Sequence, residues 1–350
     1  MNVLDSINVF RRRLTRILTK NIGKTRLPRN IDLTKKPEIK RVLICRPNHR
    51  LGNLLLITPL IQEVISNFPD CKVDLLVKGG ISPVLFENYE NIDTIIQLPK
   101  KPFKEFIKYI RVWLSIRRRS YDMAINVVNN SSSGRLITQL SRSKHKLFGD
   151  INESIQLKYQ DHIHIAKSSV YEFRNYLTKL GVDENNKEIP PLNLNLSASE
   201  IAEGQKIVSE LVDENKNKTI SIFTFATSDK CYSEAWWAEF YDRLMLEYSN
   251  YNIIEVLPVE NISQIGFKAP SFYSKNIREI AAVVANTEVF IGADSGIMHL
   301  ASSSLTPTVG LFSRVNQSTY QPFGNGSFAI NTNTSNIEDW IEGINGILKG

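Results

Sequence analysis

Long apolar runs are missing from this chain. No stretch approaches the roughly 20 consecutive apolar residues that a membrane-spanning helix needs, and the N-terminus lacks the compact apolar core of a secretion signal. Both absences predict a cytoplasmic protein. Cysteine is scarce: Cys45, Cys71 and Cys231 are odd in number and form no CxxC pair. That excludes a disulfide framework and a cysteine-based zinc site, and predicts reduced, packed thiols. GxxxxGK[ST], GxSxG and GxGxxG are all absent, which removes support for a P-loop NTPase, a serine hydrolase and a standard dehydrogenase. Metal-ligand spacing is lacking as well. His162 and His164 alternate on one predicted strand without a third ligand nearby, and His145, inside Lys144-His-Lys146, reads as part of a solvated basic loop.

What is present is unevenly placed. The net charge is +7, yet residues 1–40 alone hold eleven lysines and arginines against Asp5, Asp32 and Glu38. A second basic cluster, Lys100 to Arg119, has eight basic residues opposed only by Glu105. Charge confined to segments argues for an anionic surface as partner and against a nucleic-acid-coating protein. Val3, Ile7, Phe10, Leu14, Ile17 and Leu18 recur at helical spacing between Arg11, Arg12, Arg13, Arg16 and Lys20. This predicts a basic amphipathic helix that either lays residues 1–30 on an anionic membrane or docks on the protein with its basic face solvated, followed by a connector up to residue 40.

A chain of 350 residues exceeds what one hydrophobic core usually fills, so two domains are expected. Short β-rich runs at 42–45, 73–77, 92–98 and 122–128 alternate with helical stretches at 54–68, 103–116 and 170–180. In the stretch 103–116, Phe106, Ile107, Ile110, Trp113 and Leu114 form one apolar face. The pattern restarts with helices at 198–213, 234–248 and 277–285 and strands at 219–224, 252–257, 289–291 and 308–312. These alternations predict an α/β protein with two Rossmann-like, doubly wound parallel-sheet domains facing each other across a cleft. The predicted boundaries are 41–182, a linker at 183–197, and 198–350, with the last helix (337–348) a candidate to pack back on the first domain. Ligands of open parallel sheets bind beyond the carboxyl ends of the strands.

Three stretches carry chemistry. In FIGADSGIMHLASSS (290–304), a buried strand meets a tight turn at Asp294, Ser295 and Gly296, then a helix bearing His299. Small residues at a helix start admit a phosphate to the backbone N–H groups, and Ser295 and His299 add donors; Asp294 could alternatively cap the helix. In FTFATSDKCYSEAWW (223–237), a strand ends in Ala226, Thr227 and Ser228, with Lys230 either placed as a point charge for a phosphate or a solvated loop lysine. In RPNHRLGNLLLITPL (46–60), a strand-to-helix turn presents His49, Arg50, Gly52 and Asn53.

These stretches, in this order, resemble the heptosyltransferase family of glycosyltransferases (family 9, GT-B fold), enzymes of lipopolysaccharide core assembly. The similarity is carried by RLGNLLLITPLIQEVISNFPDCKVDLLV, FATSDKCYSEAWWAEF and IREIAAVVANTEVFIGADSGIMHLASS…TPTVGLF, and covers about residues 40–348. It implies an inverting, metal-independent transferase moving a sugar, heptose among the candidates, from a nucleotide-diphosphate donor to a lipid-linked saccharide. The work would be done peripherally at the inner face of the inner membrane, with no cofactor besides the donor. The resemblance implies donor binding by Thr227, Ser228, Lys230, Asp294, Ser295, Gly296 and His299. It also suggests Glu260 near the donor ribose, and Arg50 and Gly52 on the acceptor side. The family commonly has Gly-Asp where this chain has Gly52-Asn53, and that Asp is thought to deprotonate the acceptor. An amide cannot take up a proton at neutral pH. His49 is the nearest titratable substitute; a base from elsewhere in the first domain and loss of activity are the alternatives. The rival functions are a nucleotide-sugar epimerase on the same fold and a non-catalytic binding homologue.

Overall fold

The computed structural model describes residues 22–28, 36–99, 105–216 and 218–349. The predicted membrane helix of residues 1–20 lies outside them, as does most of the 1–30 segment. Among the described residues, no helix is long and apolar enough to cross a membrane.

The chain begins with β1 (Arg41–Cys45), α1 (Leu51–Leu55), α2 (Thr58–Asn67), β2 (Lys72–Lys78), α3 (Ser82–Leu85), β3 (Ile92–Leu98), α4 (Phe106–Arg118) and β4 (Ser120–Asn126). It continues with α5 (Ser132–Leu140), β5 (Arg142–Leu147), α6 (Glu153–Lys158) and α7 (Ile165–Thr178). The second half holds α8 (Ala198–Leu211), β6 (Thr219–Phe223), α9 (Glu234–Glu247), β7 (Asn252–Val256), β8 (Ser271–Phe272), α10 (Ile277–Val284) and β9 (Val289–Ala293). It closes with α11 (Gly296–Ser303), β10 (Thr308–Phe312), α12 (Gln317–Tyr320), β11 (Phe328–Asn331) and α13 (Ile337–Leu348). The helix predicted over 54–68 is broken at Leu56 and Ile57 into α1 and α2.

Two compact units result. The first comprises residues up to His49, Pro59–Pro83 and Tyr89–Ile189; the second comprises Arg50–Thr58, Val84–Asn88 and Pro190–Gly350. The chain thus passes into the second unit twice before the crossing at 189–190.

The first unit holds a sheet of order β3-β2-β1-β4-β5, parallel throughout, with Val42 opposite both Val73 and Met123. Parallel strands covered on both faces must be apolar almost without interruption, which is why Val42–Cys45 is fully buried. Asp74 interrupts β2 but is matched: it accepts from Arg119 at 2.7 Å and from the Tyr121 hydroxyl at 2.9 Å, and pairs with Arg41 at 3.1 Å. Leu43, Leu76, Leu98, Ile116, Tyr121 and Ile137 pack one side of the sheet.

Three expectations fail in this unit. His162 lies in a turn and His164 is the N-cap residue of α7, so they share no strand. His145 is a buried member of β5, sharing a hydrogen bond with the Tyr176 hydroxyl at 3.1 Å. Helix α4 is turned about its axis: Tyr109, Val112, Trp113 and Ile116 face the core, whereas Ile107, Ile110 and Leu114 are 68%, 41% and 48% exposed.

The second unit holds a sheet of order β11-β10-β9-β6-β7-β8, again parallel. Strands β6, β7, β9 and β10 are buried at every position. Trp237, Phe240, Leu244, Trp340, Ile341 and Ile344 share its core, with the Trp236 and Trp340 rings 5.3 Å apart. The final helix, α13, packs on α9 inside this core. Cys45 and Cys71 are buried as predicted; Cys231 is only partly covered.

Candidate active site

A doubly wound sheet opens a crevice where neighbouring strands send their chains in opposite directions. In the second unit that point lies between β6, whose chain proceeds to β7 and β8, and β9, whose chain proceeds to β10 and β11. Both phosphate-binding stretches inferred from sequence emerge there. Beyond β6 the chain forms a 3₁₀ turn, Ser228–Lys230, entered through Ser228 at a left-handed φ of 61°. Beyond β9 it reaches Asp294 and then α11.

The two meet directly. Lys230 Nζ lies 2.6 Å from Asp294 Oδ2, with Asp294 almost wholly buried. Asn316, from the loop beyond β10, donates to the same carboxylate oxygen at 2.9 Å. Arg314 pairs with Asp229. Tyr232 shares a 2.9 Å hydrogen bond with Thr332, which follows β11; burial pushes the Tyr232 phenol upward, partly countered by that bond. Loops after four adjacent strands thus converge on one crevice. Thr227 and Ser228 are exposed at its rim.

The capping role goes to Ser295, not Asp294. Ser295 Oγ accepts from the Met298 N–H at 3.2 Å, which leaves the Asp294 carboxylate to hold Lys230 and Asn316. Lys230 is accordingly ion-paired and pinned at the crevice, not a solvated loop lysine.

His299 and Gly52 are packed together within the second unit. His299 is 4% exposed, and a Cβ built on Gly52 would lie 2.5 Å from its Cδ2. A Cβ on Gly296 would meet Leu51 Cβ at 3.2 Å. Two glycines therefore let α1 approach the first turn of α11. Arg50 is the exposed N-cap residue of α1, without a side-chain cap bond, and Asn53 is partly buried on the same helix. Glu260 is exposed in a turn after β7.

The first unit has its own switch point, between β1 and β4. The loop beyond β1 carries His49, exposed, and is held by the Lys78 N–H donating to the Asn48 carbonyl at 3.0 Å. Across it, Asn126 donates to the Val128 and Phe148 carbonyls at 2.8 and 2.9 Å. Arg135, 2% exposed, donates to Asn129 at 2.6 Å and pairs with Asp150 at 3.0 Å.

Asn316, Arg314, Tyr232 and Thr332 were not anticipated; they reach the crevice only through the parallel order of β9, β10 and β11. Glu255 was also missed, although a carboxylate inside the apolar run Asn252–Leu257 was a readable signal. It is fully buried, accepting from Thr224 and Ser263 at 2.6 and 2.7 Å, with burial raising its pKa. Among the described residues, no three His, Cys, Asp or Glu side chains group as a metal site.

A profile described as glycosyltransferase family 9 (heptosyltransferase) matches residues 274–340, the stretch that contains Asp294, α11 and Asn316. Lipopolysaccharide heptosyltransferase 3 of Escherichia coli is 24% identical over 301 residues, 78% of this chain and 84% of that protein. Lipopolysaccharide heptosyltransferase 1 of Campylobacter coli is 22% identical, covering 75% and 81%. Among solved structures, a family 9 glycosyltransferase from Veillonella parvula DSM 2008 matches with a TM-score of 0.68 at 16% identity, over 90% of this chain and 99% of that one. E. coli heptosyltransferase WaaC with ADP matches with a TM-score of 0.61, also at 16% identity, over 88% and 99%. The fold is GT-B, built of two parallel-sheet α/β domains, and over residues 274–340 the chain is similar to glycosyltransferase family 9, the heptosyltransferase family.

Proposed function

We propose that the protein transfers a sugar, with heptose the foremost candidate, from a nucleoside-diphosphate donor to the saccharide of lipopolysaccharide core or another lipid-linked acceptor. The carrying observation is the meeting of Lys230 and Asp294 at the switch point of the second sheet, beside the N-terminus of α11. That an E. coli relative of the same fold was solved with ADP supports a nucleoside diphosphate as the ligand.

In the proposed reaction an acceptor hydroxyl attacks the anomeric carbon from the face opposite the diphosphate. The new C–O bond forms as the bond to the diphosphate breaks, inverting the centre. Negative charge gathers on the departing phosphate oxygens. Lys230, released in part from Asp294, the backbone N–H groups at Ser295 and Gly296, and hydroxyls from Thr227 and Ser228 offset it without a metal. His299 supports the α11 turn from beneath, and Glu260 is assigned to the ribose end. The acceptor proton passes to His49, with Asn53 and Arg50 orienting the acceptor. Residues 1–30 are proposed to hold the enzyme peripherally at the inner face of the membrane.

Calorimetric titration with ADP in the presence of a metal chelator tests the donor site. Binding should survive chelation and weaken by roughly tenfold or more in Lys230→Met, the loss of one charge-assisted contact. Absence of binding by every nucleoside diphosphate and nucleotide sugar tried would overturn the reading. For the base, His49→Ala should lower turnover by about 100-fold with ADP affinity intact, and Asn53→Asp in that background should recover part of it. Unchanged turnover in His49→Ala removes it from the mechanism.

A further inference from the structure

Among the described residues, helix α4 carries an apolar stripe on the side facing away from its own core. Its inward residues, Tyr109, Val112, Trp113 and Ile116, already fill the first unit's core, so Ile107, Ile110 and Leu114 are not spare core residues but a second, outward set. At 3.6 residues per turn, these three form one stripe along the helix. Arg117 borders one edge, and Arg111 and Arg118 border the other, all exposed. From Phe106 to Arg118 the helix has four basic residues and no acidic one; Lys108 pairs with Glu105 at 3.0 Å just before it.

We infer that this face of α4 docks on an anionic lipid bilayer, with Ile107, Ile110 and Leu114 entering the acyl boundary and Arg111, Arg117 and Arg118 meeting lipid phosphates. The composition selects that occupant. Branched aliphatic side chains rimmed by arginines match a surface that is apolar in depth and negative at its headgroups. A nucleic acid would reward the arginines but not exposed isoleucine and leucine. An acidic protein partner would favour an aromatic centre over an aliphatic one. The inference is independent of the sugar chemistry, because vesicle binding requires neither donor nor acceptor.

The test is hydrogen exchange on the full chain, read in peptides covering residues 105–119, with vesicles of phosphatidylglycerol and phosphatidylcholine or of phosphatidylcholine alone. Exchange in α4 should slow by roughly tenfold with the anionic vesicles only. Both Ile107→Ser/Ile110→Ser/Leu114→Ser and Arg111→Glu/Arg117→Glu/Arg118→Glu should abolish the effect while leaving the thermal transition in place, since all six side chains are exposed. Because the readout is local, vesicle binding through residues 1–30 does not imitate it. Binding of vesicles without slowing in α4 overturns the inference. So does protection already present without lipid, from a second copy or from the chain's own N-terminus, and so does retention of the effect in the arginine variant, which would indicate an uncharged apolar partner.

Discussion

Glycine 52 shows how much can rest on a missing atom. Its hydrogen faces the His299 ring at a distance no Cβ tolerates, so Gly52→Ala should force the ring or α1 to move. We expect a loss of about 1–3 kcal/mol in urea unfolding, together with weaker ADP binding as the first turn of α11 shifts. A neutral substitution would show that α1 slides freely. The motif positions around this glycine were readable as a strand-turn-helix, and the substitution of Asn53 for a carboxylate was plain. What could not be read was which neighbour Gly52 touches, because His299 is 247 positions away in the chain. Similarly, Asp294 could be placed at the helix start, but its choice between capping and pairing depended on Asn316 and Lys230, brought in by separate strands.

Elements were legible where their burial was two-sided. Strands β1, β6, β9 and β10 are apolar runs, and the sequence Ser197-Ala-Ser-Glu200 announces α8 through a reciprocal cap, which forms with Glu200 receiving the Ser197 N–H at 2.7 Å. Amphipathic α4 was legible as a helix and misread in orientation, since periodicity locates a stripe but not the side the core occupies. The contacts of α10 were not legible at all. Its Arg278, 3% exposed, donates to Glu200, pairs with Glu87 at 2.7 Å, and reaches the Val84 and Leu194 carbonyls at 3.3 Å. Arg278→Met leaves that acidic ring without its cation and should cost about 3–5 kcal/mol. The bond to Arg278 holds the Glu200 carboxyl down at about 2 from an ordinary 4.5. A depressed acid stabilises the fold above its unfolded pKa, so this contribution is complete above pH 4.5 and fades as pH falls toward 2. Acid titration of the wild type against Glu200→Gln checks it: the variant should lose the steepness in that window.

At the scale of the molecule, each unit has its own core and its own switch point, and each buries a carboxyl whose pKa is raised, Glu172 in the first and Glu255 in the second. In the first unit, burial pushes the Glu172 carboxyl up to about 8 from 4.5, despite donors from Thr25, Gly149 and Asp150. The folded form therefore retains a proton that the unfolded chain loses above pH 4.5. Stability falls as pH rises from 4.5 to 8 and is level beyond. Scanning calorimetry should show the transition drifting down across that range, with the drift reduced in Glu172→Gln. An identical drift in wild type and Glu172→Gln would contradict this. The division itself has a practical edge. Residues 50–58 and 84–88 belong by packing to the second unit, so expressing 190–350 alone yields a severed half whose α11 has no Leu51 and Gly52 to lie against, and whose Arg278 has lost Glu87. Truncation at the 189–190 crossing is thus not a clean cut, and donor-site studies belong on the uncut polypeptide.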